Sequence, residues 1–165
     1  MLTRNAYALI SAVLAGGSGS STKLVTVKLR TGSVMQMAAS TLGMFRYISS
    51  ISTSESTAGV LLSGDEAEPT LDDYAAPSSF FTKVSGSGNT PSVVVDGNAY
   101  EITSTLSVMN AWSDSIEIKS LYFFCTDPNS GNTFLLDHTK LANPITIPAG
   151  ETKVFTYTIR LDIGA

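Results

Sequence analysis

The amino-acid sequence predicts an all-β fold, an antiparallel β-sandwich of jelly-roll type preceded by a short N-terminal amphipathic helix. Short runs that alternate apolar and polar residues recur through the 165-residue chain, and such alternation is typical of half-buried strands. Clusters of Gly, Asn, Asp and Pro separate these runs, as turns do in a sandwich. The chain contains 23 Ser and 19 Thr but only 15% charged residues, whereas a soluble domain usually has about 25%.

Length and charge restrict the classes of function. A chain of 165 residues suits one domain with a substantial core. The net charge of -4 argues against nucleic-acid binding, which relies on clustered basic residues. No apolar stretch is long enough to span a membrane. The scarcity of charge favours a surface that contacts other protein chains, so we expect a homo-oligomer.

Residues 1–15 are predicted to form a helix that docks on a neighbouring subunit. Their apolar residues recur with the spacing of one helical face: Leu2, Ala6, Leu9, Ile10, Val13 and Leu14. Tyr7 lies beside this stripe, Thr3 can cap the helix, and Gly16–Gly17 can end it. A signal peptide is the alternative for this segment, which has a short basic start and an apolar middle. The regular stripe favours the docked helix.

A Gly/Ser linker at 16–22 separates this helix from the predicted β-sandwich domain, residues 23–165. The domain begins with KLVTVKLR (23–30), whose apolar residues alternate with polar ones as in a half-buried strand. The segment 34–51 is interpreted as a strand, a short helical turn and a second strand. AGVLLSG (58–64) is a compact apolar strand.

The strand signals become stronger after residue 80. FFTKV (80–84) predicts a strand, and SGSGNTPS (85–92) predicts a loop because of its Gly and Ser content. Asp96–Gly97 lies between two β-rich runs and predicts a two-residue hairpin turn, in which both positions require a positive φ. Alternation in the returning strand predicts one shared face for Ile102, Ser104, Leu106 and Val108.

The last third of the chain predicts three more strands. NAWSDS (110–115) is a turn before the strand IEIKSLYFFC (116–125), which is apolar on both faces near its end. TFLLD (133–137) forms the next strand, and HTK (138–140) is predicted to be a loop. The closing strand, ETKVFTYTIRLDI (151–163), alternates strictly, and its predicted inward residues are Phe155, Tyr157, Ile159, Leu161 and Ile163.

A cluster of acidic residues follows the strand at 58–64. Five carboxylates occur within nine residues that contain no Lys or Arg: Asp65, Glu66, Glu68, Asp72 and Asp73. Such oxygen ligands suit calcium, so these five residues form a candidate cation site. Their spacing does not fit an EF-hand loop, because Pro69 falls in the middle and no Gly occupies the sharp turn. Asp72 and Asp73 can also be interpreted as paired acids of a glycosidase. We favour a solvated or hydrogen-bonded loop without a cofactor, and both alternatives stay open.

The remaining chemical candidates point away from an enzyme. His138 is the only histidine, and no nucleophile elbow such as G-x-S-x-G accompanies it. Cys125 is the only cysteine and lies in the apolar run LYFFC, so we interpret it as a buried thiol. One Cys and one His cannot supply the usual ligand set of zinc. The sequence therefore predicts no catalytic residue and no cofactor.

Three short motifs resemble those of small β-sandwich structural proteins of tailed bacteriophages and prophages. The first is a G-x-x-x-x-P-T-x-x-D-Y loop after a short strand, formed by Gly64, Pro69, Thr70, Asp73 and Tyr74. The second is the strand SIEIKSLYFF (115–124), and the third is the closing run PITIPAGETKVFTYTIRL (144–161). The resemblance covers about residues 58–163, and the group includes tail, head–tail junction, fibre-associated and capsid-decorating components.

The resemblance implies a non-enzymatic virion protein, assembled in the host cytoplasm through contacts with other virion proteins. Under this interpretation Asp73 accepts backbone N–H bonds, Tyr74 buries its ring at the edge of the core, and Pro69 shapes a turn. The alternative is a carbohydrate- or receptor-binding β-sandwich module, with calcium as a candidate ligand. The acidic loop and the aromatic residues Tyr100 and Trp112 near turns motivate that alternative.

Overall fold

The predicted all-β class is confirmed by a computed structural model that describes residues 1–16, 24–38, 47–76, 79–96, 99–127 and 130–162. Within these ranges the chain is mostly strand, with one short helix at its start. The elements are α1 (Arg4–Gly16), β1 (Leu24–Lys28), β2 (Val34–Ala38), β3 (Ile51–Ser52), β4 (Gly59–Ser63), β5 (Val84–Gly88), β6 (Ser92–Asp96), β7 (Ala99–Asn110), β8 (Ile116–Thr126), β9 (Thr133–Ile147) and β10 (Thr152–Asp162). A helical turn at 47–49 precedes β3.

The described strands form three sheets. β1 and β2 make an antiparallel hairpin, and the turn between them contains Gly32 with a φ of 83°. Sheet 1 contains β3, β4, β8 and β9 in that order. In sheet 1, β3 and β4 are parallel, and the other neighbours are antiparallel. Sheet 2 contains β10, β7 and β5 in that order, and β6 also pairs with β7.

β5 and β6 form one interrupted edge of sheet 2. β10 occupies one side of β7 along its whole length, so β5 and β6 share the other side, opposite residues 106–110 and 99–103 respectively. Asn89 bridges the gap between them. Its Oδ1 accepts the Thr105 N–H at 2.6 Å, and its own N–H donates to the Thr105 carbonyl at 3.1 Å.

One buried cluster, the main core, takes side chains from the helix, the hairpin and both larger sheets. The predicted shared face of β7 is confirmed, because Ile102, Ser104, Leu106 and Val108 are all buried. In β10, Tyr157 and Ile159 are buried and Phe155 is half-buried. The side chain of Leu161 and all of Ile163 lie outside the described part. The interpretation of Cys125 as a buried thiol is confirmed, and burial raises its pKa.

Helix α1 packs within its own chain, and its predicted docking on a neighbouring subunit stays a prediction. Leu2, Ala6 and Leu9 are buried in the main core, and Tyr7 lies off the stripe at 50% exposure. These three residues of the stripe are therefore covered by the chain itself. The side chains of Val13 and Leu14, and the linker beyond Gly16, lie outside the described part.

The helix cap also differs from the prediction. The Thr3 hydroxyl donates to the Leu135 carbonyl at 2.8 Å, so it is not used as a side-chain cap. The Arg4 N–H instead donates to the Leu71 carbonyl at 2.8 Å, which satisfies one of the open donors at the helix start. A loop residue therefore holds the beginning of α1.

Three strand boundaries were wrong. The predicted strand at 80–84 starts only at Val84, and β5 continues through the Gly/Ser segment to Gly88. Glycine there permits close packing, because a Cβ added to Gly86 would lie 2.1 Å from the Ser107 carbonyl oxygen. The predicted loop at 138–140 is part of β9. In the hairpin, Asp96 pairs with Ala99, so the connection is 97–98, which lies outside the described residues.

Candidate functional site

The acidic loop, residues 64–76, crosses the face of sheet 1 that points away from the main core. We call this the outer face of sheet 1. It carries a second buried cluster, made of Leu61, Tyr122, Phe124 and Leu135, with Ala76 and Phe80 packed against it. These residues alternate with main-core residues along β4, β8 and β9. Both faces of β4 and β8 are therefore buried, which explains why their sequences are nearly continuously apolar.

Asp65 anchors the beginning of the loop. Its Oδ1 accepts hydrogen bonds from the Tyr122 hydroxyl at 2.9 Å and from the Ala67 N–H at 3.0 Å. The Ser120 hydroxyl donates to the Asp65 carbonyl at 3.0 Å. Burial raises the pKa of Tyr122, and the adjacent carboxylate raises it further, so Tyr122 keeps the proton that it donates.

Asp73 anchors the other end of the loop. Its Oδ2 lies 2.6 Å from His138 Nδ1 on β9, and its two oxygens accept the Thr70 N–H at 2.9 Å and the Thr70 hydroxyl at 2.6 Å. Burial acts to raise the pKa of Asp73. The hydrogen bonds from Thr70 and the contact with His138 together outweigh burial and hold that pKa below its usual value.

The other three carboxylates form ion pairs on the surface. Glu66 pairs with Lys119 of β8 at 2.7 Å. Glu68 pairs with Lys140 of β9, and Asp72 pairs with Arg4 of α1. The hydrogen bond and charge of Lys119 lower the pKa of Glu66. Each partner lies on a different element, so these pairs attach the loop at three separate points.

Tyr122 and His138 connect the two anchors. Their rings stack with centroids 4.2 Å apart and planes inclined by 20°, as expected for an aromatic pair in van der Waals contact. His138 is only 1% exposed. Within the described part of the chain, His138 Nε2 and Asp65 Oδ2 are buried and have no hydrogen-bond partner.

The Asp73–His138 pair has the geometry of an oriented imidazole, in which a carboxylate binds one ring nitrogen. Relay catalysis also needs a nucleophile at the second nitrogen. Among the described residues no hydroxyl or thiol is hydrogen-bonded to His138 Nε2, and burial separates that nitrogen from solvent. What this arrangement does is hold the loop against sheet 1.

The five candidate cation ligands are not gathered at one point. Asp65 faces Tyr122, Asp73 faces His138, and the other three carboxylates face separate basic side chains. Across the ranges that the structure describes, no group of three or more His, Cys, Asp or Glu side chains is placed to hold a metal ion. Asp72 and Asp73 also diverge, toward Arg4 and His138 respectively.

The motif residues that the resemblance singles out have specific contacts. Asp73 does accept a backbone N–H, although it comes from Thr70, three residues earlier, rather than from a following residue. The Tyr74 ring is half-buried, and Lys28 Nζ lies 3.9 Å from its centroid. A Cβ added to Gly32 would lie 3.5 Å from Tyr74 Cε2. Tyr74 therefore packs the loop against the β1–β2 hairpin.

The sequence did not reveal the partners of the loop on sheet 1. Lys119 and Lys140 lie on neighbouring strands, since Ser120 pairs with Lys140. Lys119 in the predicted strand 116–125 and Lys140 just after the predicted strand 133–137 were an available signal, in a chain with ten basic residues. They offer the opposite charge to a loop that has only acids.

A second buried polar site links the two sheets. Asp137 of β9 is 3% exposed, and its Oδ2 accepts the Tyr157 hydroxyl of β10 at 2.5 Å and the Thr139 hydroxyl at 2.6 Å. Its Oδ1 lies 3.2 Å from the Met1 amine. Burial and the Asp137 charge raise the pKa of Tyr157. Sequence patterns missed this site, because Asp137 ends a run interpreted as an apolar strand.

An open cavity of about 310 Å³ lies beside the turn between β7 and β8. Its lining includes three aromatic residues, Phe80, Phe81 and Trp112, and Ile116, while Asp114 and two serines add polar groups. Lys83 Nζ lies 5.0 Å from the Trp112 ring centroid. The Trp112 Nε1 is buried without a partner in the described structure. The side chain of Tyr100, the other aromatic candidate, lies outside the described part of the chain.

Comparisons with protein-family models, with curated proteins and with solved structures find no match. Within the described part of the chain, no helix combines the length and apolar character needed to cross a membrane.

Proposed function

We propose that this protein is a structural component of the virion of a tailed bacteriophage, in the tail, at the head–tail junction or on the capsid. It acts through protein–protein assembly, with other virion proteins and with copies of itself, and without catalysis. The resemblance of the loop at 64–74 and of the closing run 144–161 supports this class. The all-β fold and the low charge of the chain agree with it.

The observation that carries the proposal is the outward face of β7 and β10 in sheet 2. We call it the hydroxyl face, because most of its outward residues carry hydroxyls: Thr103, Thr105, Ser107, Thr152, Thr156 and Thr158. Met109 and Val154 are also exposed on it. Thr103 and Thr158 face each other with hydroxyls 3.0 Å apart. Among the described side chains of this face, the charged ones are Glu101 and Arg160 at one end, 2.8 Å apart. An open face with few charges has the composition of surface that meets other chains.

The finer architecture that we propose is an antiparallel β-sandwich of jelly-roll type. The main core draws on both sheets, and the Tyr157–Asp137 hydrogen bond runs between β10 of sheet 2 and β9 of sheet 1. Both are expected where two sheets pack face to face around one core. The remaining face of sheet 1 lies under the acidic loop, which leaves the hydroxyl face open to partners.

Composition of purified phage particles tests the virion role. We expect mass spectrometry of gradient-purified particles to detect the chain at a fixed ratio to the major capsid protein. We expect light scattering after size exclusion to give a mass above that of the 17.4 kDa monomer. A strictly monomeric protein that is absent from particles would contradict the proposal.

A carbohydrate-binding module is the second candidate, and the aromatic cavity favours it. Sugar rings stack on aromatic side chains, and hydroxyl-binding acceptors such as Asp114 commonly accompany such platforms. In this case a glycan array gives a signal that Trp112→Ala abolishes, while Val154→Ala, a distant exposed substitution, leaves it intact. An array without any signal, measured with calcium and with chelator, removes this candidate.

A further inference from the structure

β6 is an exposed apolar edge strand. Val93, Val94 and Val95 are 64%, 54% and 63% exposed, and among described strands β6 pairs only with β7. Exposed edges are usually protected by charges, proline or bulges, because their free N–H and C=O groups recruit other strands. Here Pro91 precedes the strand and Asp96 ends it, and the three valines between them carry no such protection.

The pairing with β7 determines which peptide groups of β6 are free. Asp96 pairs with Ala99 across a two-residue connection, and the closing pair of such a hairpin exchanges backbone hydrogen bonds. Hydrogen-bonded and non-hydrogen-bonded pairs alternate in an antiparallel ladder, so Val94 is bonded to β7. The N–H and C=O groups of Val93 and Val95 therefore point toward the free edge.

We propose that β6 pairs antiparallel with β6 of a second copy of this chain, with Val94 on the two-fold axis. In this register Val93 lies opposite the partner's Val95, and the two residues exchange hydrogen bonds. Val95 and the partner's Val93 also exchange hydrogen bonds, so the contact has about four backbone hydrogen bonds in total. The pairing deepens the proposed function and rests on it, since it names one contact through which the protein assembles.

The occupant is a second copy because the segment is complementary to itself. A two-fold interface brings identical patches together, and the run of three valines is the same in both directions. Asp96 lies opposite the partner's Ser92, so like charges do not face each other. The two Val94 residues form a non-hydrogen-bonded pair, in which Cα atoms are about 4.5 Å apart, and their side chains cover each other.

Disulfide cross-linking tests the register. The Cα separation of a non-hydrogen-bonded pair fits a disulfide, so Val94→Cys forms a covalent dimer under mild oxidation. The matched control is Val34→Cys, because Val34 is similarly exposed at 68% but lies on β2, away from both β6 and the hydroxyl face. Cys125 is fully buried in both variants.

We expect cross-linking of Val94→Cys to be roughly a hundredfold faster than that of the control, because pairing gives a high effective concentration of the two thiols. Val93→Cys should behave as the control does, since its proposed neighbour is the partner's Val95. Equal rates for Val94→Cys and Val34→Cys overturn the pairing. A rate for Val93→Cys that equals that of Val94→Cys overturns the register.

Val95→Pro tests the edge without a new thiol. Proline removes an N–H that β7 does not use, and an edge strand tolerates it there, so the fold is retained. We expect loss of the paired species in light scattering, with Val95→Thr as the matched control that keeps the N–H. If the wild-type protein is oligomeric and Val95→Pro has the same oligomeric mass, β6 is not the contact between copies. That result leaves the proposed assembly function intact. Absence from particles would instead contradict the virion role alone.

Discussion

The outer face of sheet 1 and the hydroxyl face of sheet 2 differ in whether the protein's own chain covers them. The first is covered by the chain itself, through a loop whose carboxylates each find a partner on sheet 1, on α1 or in the loop. The second is left uncovered and has few charges, and Val154, opposite Ser107, is exposed at 60% on it. Both faces belong to strands with a common core between them.

The difference indicates which surface serves folding and which serves assembly. Burial of Phe124 and Tyr122 under the loop contributes to the stability of the isolated chain, at about 25 cal/mol for each Å² of apolar area. The hydroxyl face and β6 add no such term within the monomer. Selection for contacts with other chains would explain why these residues remain apolar or uncharged at the surface.

The largest effect is expected from Phe124→Ala, which removes a fully buried ring from the outer face of sheet 1. Truncation of a buried Phe costs about 3–5 kcal/mol of unfolding free energy. Val154→Ala on the hydroxyl face should change it by less than about 0.5 kcal/mol. Urea denaturation of both variants measures the contrast. A similar loss of unfolding free energy in both variants would mean that the residues under the loop do not form a stabilising core.

Much of the β pattern could be predicted from local sequence. The alternation of Ile102, Leu106 and Val108 corresponds directly to the buried face of β7, because side-chain direction in a strand depends only on position. The loop at 64–76 was expected to be solvated or hydrogen-bonded, and the structure gives two of its carboxylates hydrogen bonds from Tyr122 and Thr70. The predicted turn at 110–115 also agrees, since it separates β7 from β8.

The failures arose where distant residues determine the structure. His138 and Lys140 look like loop residues, but β9 continues through them because their backbone pairs with Tyr122 and Ser120 of β8. Their side chains then contact Asp73 and Glu68, about seventy positions earlier. No local pattern carries that information. The same holds for Gly86, whose glycine signals a loop locally but permits close contact with Ser107 in the sheet.

A smaller effect is expected from Asp73→Asn, and it should depend on pH. Because the folded-state pKa of Asp73 lies below its unfolded value, its carboxylate stabilises the fold above the unfolded pKa of about 3.9. That stabilisation is lost as pH falls through the lower folded pKa. At pH 7 the variant should be less stable by about 1 kcal/mol, for a partly exposed charged hydrogen bond.

Denaturation of wild type and Asp73→Asn between neutral pH and strongly acidic pH measures this dependence. The two curves should converge at acidic pH, where Asp73 is protonated. Asp72→Asn is the matched control, because the Asp72 side chain is 71% exposed and such a surface ion pair contributes little to stability. Its curve should follow the wild type throughout. A constant gap between wild type and Asp73→Asn down to low pH would mean that the Asp73 charge is irrelevant to holding the loop.

The smallest effect is expected from calcium. A ligand present at about a hundred times its Kd adds about 2.7 kcal/mol to the unfolding free energy, which a melting curve detects easily. The carboxylates of the acidic loop face separate partners, so we expect millimolar calcium to leave Tm unchanged relative to equal ionic strength of sodium chloride. A calcium-specific rise in Tm that Asp65→Asn abolishes would show that the loop rearranges to bind the ion. The outer face of sheet 1 would then bind a ligand as well as being covered by the loop. It would resemble the hydroxyl face in serving an external partner.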